Sequence, residues 1–481
     1  MDKSVELANK INKLNVERIF VTGVPGSGKT LLAASLSNIW SSVPSIYLSF
    51  GKENAKSAKT KLNPNTKCCT FHSLAYEHLN LTKDRIISTL SINHIRSYFI
   101  RVKDVGDIPL LYAEAIRDLV SEYSQNDSQI HQMKQALVSV GFTCNLTREQ
   151  KGEVFSLFKM FLAGCFNDPQ SKITHDMYLK EFAINPGALN YEKIIVDESQ
   201  DLTPLMWMLL DKIALKNSCQ TIILGDPSQQ INKYKGASSL LSDVKAHFVI
   251  DESHRFGQGV ANVANKLMEI TSRQNYTPIK TFHNNSAIHT GKSFNDLINL
   301  SNSTGMRFTY LTRYNATLWL IMLKLATAGI PFTLLGGISK KELGHVERLY
   351  EFKQGDARHR KYFKSLTYNQ YRDHLKLTNR IDMLQFCKIV EHIAKNNTAP
   401  FKDVMTKLKG SMRMHRKDAT FLLSNVHQAK GLGFKNVAIS NDFPSVETFD
   451  HDSEEANVLF TAITRVKENL FLNADTAKHL I

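Results

Sequence analysis

The stretch RIFVTGVPGSGKTLLAASL, residues 18–36, limits what this chain can fold into more than any other segment. An apolar run from Ile19 to Thr22 leads into Gly23-x-x-x-x-Gly28-Lys29-Thr30, and Leu31, Leu32 and Ala34 then begin a helical pattern. Strand, glycine-rich loop and helix in that order make a phosphate-binding loop. Its glycines (Gly23, Gly26, Gly28) let backbone N–H groups, that of Ser27 among them, turn toward a β-phosphate. Lys29 adds a charge on the β and γ oxygens, and the Thr30 hydroxyl is placed to ligate Mg²⁺.

A second stretch, KIIVDESQDLTP at 193–204, supplies what such a loop lacks. Ile194, Ile195 and Val196 read as a fully buried strand of a parallel sheet, and open α/β sheets place ligands at the carboxyl ends of their strands. Asp197 is expected to hold the Mg²⁺ that Thr30 also touches, and Glu198 to orient and deprotonate an attacking water. Gln200 and Asp201 follow at helix-start positions, where Asp201 serves equally well as a cap for TPLMWMLLDKIA. Collecting carboxylates here is notable because the 481-residue chain carries 60 Lys and Arg against 45 Asp and Glu, a net +15. That excess favours a polyanionic partner. The six cysteines form no C-x-x-C pair, which argues against a zinc or disulfide framework. No apolar run approaches the roughly 18 residues of a membrane span, and MDKSVELANKINKLN lacks the layout of a signal peptide. A cytoplasmic, nucleoid-associated location is expected, or a nuclear one in a eukaryote, with no membrane partner.

DESQD following a phosphate loop, then ILGDPSQQINKYKGA, SHRFG, VHQAKGLGF and VLFTAITRVK, in that order, resemble the motifs of UvrD/Rep-type superfamily 1A helicases. CCTFHSLAY and ITHDMYLKEF resemble the F-box DNA helicase branch in particular, without an F-box-like extension. The resemblance implies a γ-phosphate sensor at Gln229, which fits a turn residue equally well on its own chemistry. It implies γ-phosphate arginines at Arg255 and Arg465 and an adenine-stacking ring at His254. It also implies contacts to single-stranded DNA at Thr70, His72, Tyr234, His427 and Lys430, with Phe71 and Leu74 in the core. Three positions depart from the family pattern. The first Gln of the chain is Gln125, so the usual upstream adenine-reading glutamine is absent; Asn232 stands where an aromatic is usual; Gly433 stands where a glutamate is usual.

The expected architecture is α/β, with two RecA-like P-loop NTPase lobes built on parallel sheets, each carrying an inserted, mainly helical subdomain. Residues 1–79 and 181–255 are assigned to the first lobe and 80–180 to its insertion, in which DRIISTLSINHIRSYF, LYAEAIRDLVSEY and EVFSLFKMFLAG read as helices. Residues 256–337 and 421–481 are assigned to the second lobe. Its insertion, 338–420, holds 19 Lys and Arg against 9 Asp and Glu. Tyr350, Phe352, Tyr362, Phe363, Tyr368 and Tyr371 are interleaved there, as on a nucleic-acid surface or as the core of a helical segment with a solvated basic face. The expected function is an ATP-dependent DNA helicase, acting as a monomer with ATP and Mg²⁺ between its lobes and moving 3′ to 5′ along single-stranded and forked DNA. A single-strand-binding protein or a recombinase is an expected further partner. Two alternatives stand beside it: a translocase that strips bound proteins such as recombinase without unwinding, and a nucleotide-gated DNA-binding factor with a weakened motor. With no upstream glutamine to read the adenine edge, GTP or CTP should support a substantial share of the ATP rate, measured as phosphate release at saturating nucleotide.

Overall fold

The computed structural model describes residues 3–133, 146–232, 236–237, 241, 244–271, 276–283, 286–336, 340–363, 366–377, 381–396, 401–411, 418–450 and 453–481. The chain divides into two compact units, Met1–Gly23 with Gly28–Ile250, and Val24–Ser27 with Asp251–Ile481. Each has its own parallel sheet. Ser253, His254 and Arg255 fall in the second of these units together with Val24–Ser27. A bridge between Glu252 and Lys280 ties that segment there.

The first unit contains β1 (Arg18–Gly23), β2 (Ser45–Ser49), β3 (Thr66–Thr70), the short β4 (Ile86–Ile87) and β5 (Ile173–Thr174), β6 (Lys193–Asp197), β7 (Gln220–Gly225) and β8 (Phe248–Ile250). Six of these form one sheet in the order β3-β2-β6-β7-β1-β8, every pair parallel. Both faces are covered, which is why the strands read as unbroken apolar runs. Val21, Tyr47, Ile195 and Leu224 pack with helices Lys3–Asn12 and Lys29–Ile39, while Ile46, Leu48, Ile194, Val196 and Ile223 join a second core. That second core is continuous with helices Ile92–Arg101, Leu110–Gln125, Arg148–Cys165 and His175–Ile184, so the inserted helices lean on the sheet instead of enclosing a core of their own.

The first of these helices begins later than the apolar spacing from residue 84 suggests. Ser91 and His94 close a capping box, and Ile86–Ile87 is diverted into pairing with Ile173–Thr174. Asp201 is not a helix cap. The hydroxyl of Thr203 accepts the Met206 N–H at the start of Pro204–Asn217, and Asp201, two residues too early, instead accepts the Asn232 amide at 2.9 Å.

The second unit contains β9 (Ala287–Thr290), β10 (Phe308–Thr312), β11 (Phe332–Leu334), β12 (Phe421–Asn425), β13 (Phe434–Ile439) and β14 (Val466–Leu472), again all parallel, in the order β11-β12-β10-β13-β14-β9. Between β11 and β12 come helices Lys340–Lys353, Tyr368–Leu377, Ile381–Asn396 and Phe401–Ser411. Their aromatic residues are core, not a nucleic-acid surface: Phe352, Phe363 and Tyr371 are buried, Tyr350 stacks on Phe401 at 3.8 Å, and the Tyr368 hydroxyl donates to Glu391. Tyr362 is the exception, 51% exposed beneath the Arg348 guanidinium. The fold is thus α/β, two RecA-like lobes with parallel sheets and helical insertions. Among the described residues no helix is long and apolar enough to cross a membrane.

Lys180 shows how the first insertion is anchored. Its buried ammonium donates to the carbonyls of Asn126 and Ser128 at 2.7 and 2.6 Å, closing the end of helix Leu110–Gln125, and lies over the Tyr123 ring. Burial brings its pKa down to about 8. Lys180→Met should cost about 1–3 kcal/mol by leaving those carbonyls without a donor. Because the folded state holds the Lys180 proton less tightly than the unfolded one, stability rises with pH from about 8 toward the ordinary value of 10.5. The gap between wild type and Lys180→Met in urea-unfolding free energy should widen across that window.

Candidate active site

Parallel strands deliver their carboxyl ends to one edge, and in the first unit β6, β7 and β1 are neighbours. Asp197, Asp226 and the phosphate loop therefore emerge side by side. The loop depends on left-handed backbone at Gly26 (φ 78°) and Gly28 (φ 86°). A Cβ at Gly26 would also lie 2.6 Å from that of Arg255 and 2.8 Å from the Ser253 hydroxyl, so this position excludes any side chain. Gly28 opens helix Lys29–Ile39, whose first N–H groups point into the loop. Lys29 is buried and donates to the Gly23 carbonyl at 2.6 Å, and the buried Ser27 hydroxyl has no hydrogen-bond partner among the described residues.

At the end of β6 the Asp197 carboxylate is only 3% exposed. One oxygen accepts from the Tyr47 hydroxyl at 2.6 Å and from Thr30 at 3.4 Å, and the other accepts the Glu198 N–H at 2.9 Å. Glu198 itself adopts left-handed backbone, φ 57°, at a cost of about 1–3 kcal/mol that the surrounding bonds must hold in place. A relay follows. Gln200 donates to the Glu198 carboxylate at 2.5 Å and accepts the Asp226 N–H at 3.0 Å, and Gln229 donates to the Asp226 carboxylate at 2.5 Å. Gly225 makes room for it, since a Cβ there would lie 2.5 Å from the Ser199 hydroxyl and 2.9 Å from the Gln200 side chain.

Burial pushes the Asp197 carboxyl above its usual range, reinforced by the Glu198 charge and opposed by Tyr47 and Lys29. Burial likewise raises Asp226, against the pull of Lys29 and Gln229. Carboxylates held toward the neutral form, beside a threonine hydroxyl, are a hard-oxygen donor set that a divalent cation fits. The left-handed loop and the orphaned Ser27 hydroxyl likewise fit a phosphate.

In the second unit both sequence-marked arginines converge on Thr464. Arg255 donates to its carbonyl at 2.9 Å and Arg465 to its hydroxyl at 3.2 Å. Arg465 is 1% exposed, with further bonds to the carbonyls of Thr461 and Leu432. A Cβ at Gly433 would meet Lys467 at 3.1 Å and Arg255 at 3.5 Å, so the position that lacks its usual glutamate lies against one of these arginines. His254 is exposed and its N–H donates to the Gly26 carbonyl. His427 and Lys430 are half-buried around the one-turn helix Val426–Ala429, capped by Asn425.

Of the residues marked for strand contact, Thr70 does not offer a free hydroxyl. It is buried and caps helix Phe71–His78 through the Ser73 N–H, because a helix beginning directly after β3 needs an acceptor there. His72 does reach the surface, 3.9 Å from Asp176 and edge-on to His175 and Tyr178. Tyr234 lies outside the described residues.

A family model described as an AAA domain matches residues 8–235. F-box DNA helicase 1 of Gallus gallus is 25% identical over 99% of this chain and 49% of its own length. F-box DNA helicase protein 1 of Schizosaccharomyces pombe is 25% identical over 96% of this chain and 56% of its own. Over nearly its whole length the chain is similar to these two F-box DNA helicases, and over residues 8–235 to the AAA domain model. A probable DNA helicase II homolog of Mycoplasma genitalium matches 44% of the chain at 24% identity. The chain spans about half the length of the two F-box relatives.

The sequence reading missed Tyr47 and gave Gln200 no role beyond a helix start. Tyr47 sits opposite Ile195 in the β2–β6 register, with Ser49 opposite Asp197, so its ring runs along the sheet face to the carboxylate two residues on. Its signal was a tyrosine hydroxyl set between Ile46 and Leu48 in SIYLSF. Tyr47→Phe removes a hydrogen bond to a charged group, about 1.5–3 kcal/mol, and frees Asp197 to turn. The Mg²⁺ concentration giving half-maximal ATP hydrolysis should rise roughly tenfold or more, and the unfolding midpoint should fall by a few degrees.

Proposed function

We propose that this chain is an ATP-dependent DNA helicase that moves 3′ to 5′ on single-stranded DNA and opens duplexes. The observation that carries the proposal is the relay from Glu198 through Gln200 and Asp226 to Gln229, beside Lys29 and Thr30, in a protein related over nearly its whole length to DNA helicases. Lys29, held on the Gly23 carbonyl, turns onto the β and γ oxygens of ATP, and the Ser27 hydroxyl gains an acceptor. Thr30 and Asp197 would hold Mg²⁺, which when bound offsets the phosphate charge. Glu198 takes the proton of the attacking water, with its carboxylate aimed by Gln200. Gln229 reports the γ-phosphate to the same network. Arg255 and Arg465 answer the charge that develops in transfer, a contribution of about 10³ to 10⁵ in rate for arginines in such roles.

His254 stacks on the base. His72, His427 and Lys430 lie along the DNA path, with Tyr234 as a stacking ring and Thr70 contributing through the helix that it caps. The residue boundaries from the sequence, with 80–180 and 338–420 as insertions, describe the working parts. A protein-stripping translocase remains as a second reading on one observation: the Asn232 amide, where a stacking aromatic is usual, is buried on Asp201.

Glu198→Gln should retain nucleotide binding and lose turnover about 100-fold or more, while Lys29→Ala loses both. Normal hydrolysis by Glu198→Gln would remove the assignment. Duplexes with a 3′ or a 5′ single-stranded tail separate the readings: ATP-dependent opening of the 3′-tailed substrate alone supports the helicase, and DNA-stimulated hydrolysis that opens neither supports the translocase.

A further inference from the structure

The sequence leaves the proposed motor short of one ring, because Asn232 occupies a position expected to stack on bases and its amide is turned inward to Asp201. The second unit presents a ring that nothing above uses. Tyr314, two residues beyond the end of β10, is 37% exposed. The β10–β12 register pairs Thr312 with Asn425, so Tyr314 and His427 each stand two residues past paired strand ends, at the same edge of the sheet. The Asn425 amide donates to the Asn315 side chain at 2.7 Å and its carbonyl oxygen accepts the Gln428 N–H at 2.8 Å, joining the turn that carries His427 to the residue after Tyr314.

The ring is held on a rigid mount. Asp442 accepts the N–H groups of Arg313 and Tyr314 at 2.9 and 3.0 Å and is itself fixed by the Ser440 hydroxyl at 2.6 Å. The Thr312 hydroxyl donates to the Tyr314 carbonyl at 3.2 Å. The Arg313 guanidinium lies 4.9 Å from the Tyr314 ring centre and is locked by two 2.6 Å bonds to Glu455. Asp442 and Glu455 cancel the positive charge of this corner, which makes it a poor clamp for phosphate. An exposed π-face backed by an ion-paired arginine suits an uncharged, planar ligand.

We infer that Tyr314 is a nucleobase-stacking platform on the second lobe, taking one base of a single strand beside His427. The inference rests on the single-stranded DNA reading given under the proposed function. The platform does not depend on base identity, since every base offers a π-face. It adds no phosphate contact, so its removal weakens binding without changing the salt dependence.

The test measures fluorescence-anisotropy affinities of the full chain for a labelled oligo-dT strand and for an abasic strand of the same length, across a salt series. Tyr314→Ala should weaken oligo-dT binding about 5- to 100-fold, leave abasic binding within about twofold, and keep the salt slope. Tyr314→Phe and Tyr314→Trp should bind oligo-dT like wild type, which also guards against a folding defect in the alanine variant. Equal losses on both strands, a reduced salt slope, or no loss on oligo-dT would overturn the platform while leaving the motor reading in place. Absence of binding to either strand by wild type would instead defeat the single-strand reading on which the platform depends.

Discussion

The arrangement of this protein turns on burying the Asp197 carboxylate at the end of a central strand. A buried anion is costly unless it is paired and hydrogen-bonded, and here the compensation is assembled from four elements. Tyr47 comes from the neighbouring strand, Thr30 from the first turn of the loop helix, the Glu198 N–H from a left-handed turn, and the Lys29 charge from the phosphate loop. None of these alone neutralises it, and burial still leaves the carboxyl raised.

The same compensation continues along the neighbouring strand ends. Gln200 has one amide, and it spends its donor on Glu198 and its acceptor on the Asp226 backbone, while Asp226 holds Gln229. In the proposed function, a shift of the Gln229 amide toward a γ-phosphate releases a bond on Asp226 and lets the network readjust as far as Glu198. Gly225 is the steric condition for this, as a methyl group there would collide with Ser199 and Gln200. In the second unit Thr464 plays the corresponding part, offering its carbonyl to Arg255 and its hydroxyl to Arg465, so that the two arginines share one mount.

The insertions show that charge and aromatic content must be separated when a basic segment is read. Between β11 and β12 the positive charge faces solvent, in part through exposed pairs such as Lys409 with Glu347 and Arg358 with Asp356. The rings face inward, with Phe363 between Phe352 and Tyr371. A helical segment of this size needs a core, and aromatics supply large buried area per residue, so most of its rings were committed before any ligand could claim them.

What the sequence by itself determined is whatever is local or periodic. Strand, glycine loop and helix follow one another without interruption, apolar runs such as IIV mark strands covered on both faces, and Asp197 and Glu198 follow their strand directly. These features fixed the fold class and brought Lys29, Thr30, Asp197 and Glu198 forward as candidates. The tertiary structure decided what depends on which strands are neighbours and on where single polar atoms point. The parallel register of β2 and β6 gave Tyr47 its carboxylate, and the Asn232–Asp201 bond took up the Asp201 side chain that the sequence also offered as a cap. Hydrogen bonds such as these, between residues 150 and 31 positions apart, leave no periodicity in a sequence, since one polar atom satisfies each of them and many residue types carry such an atom.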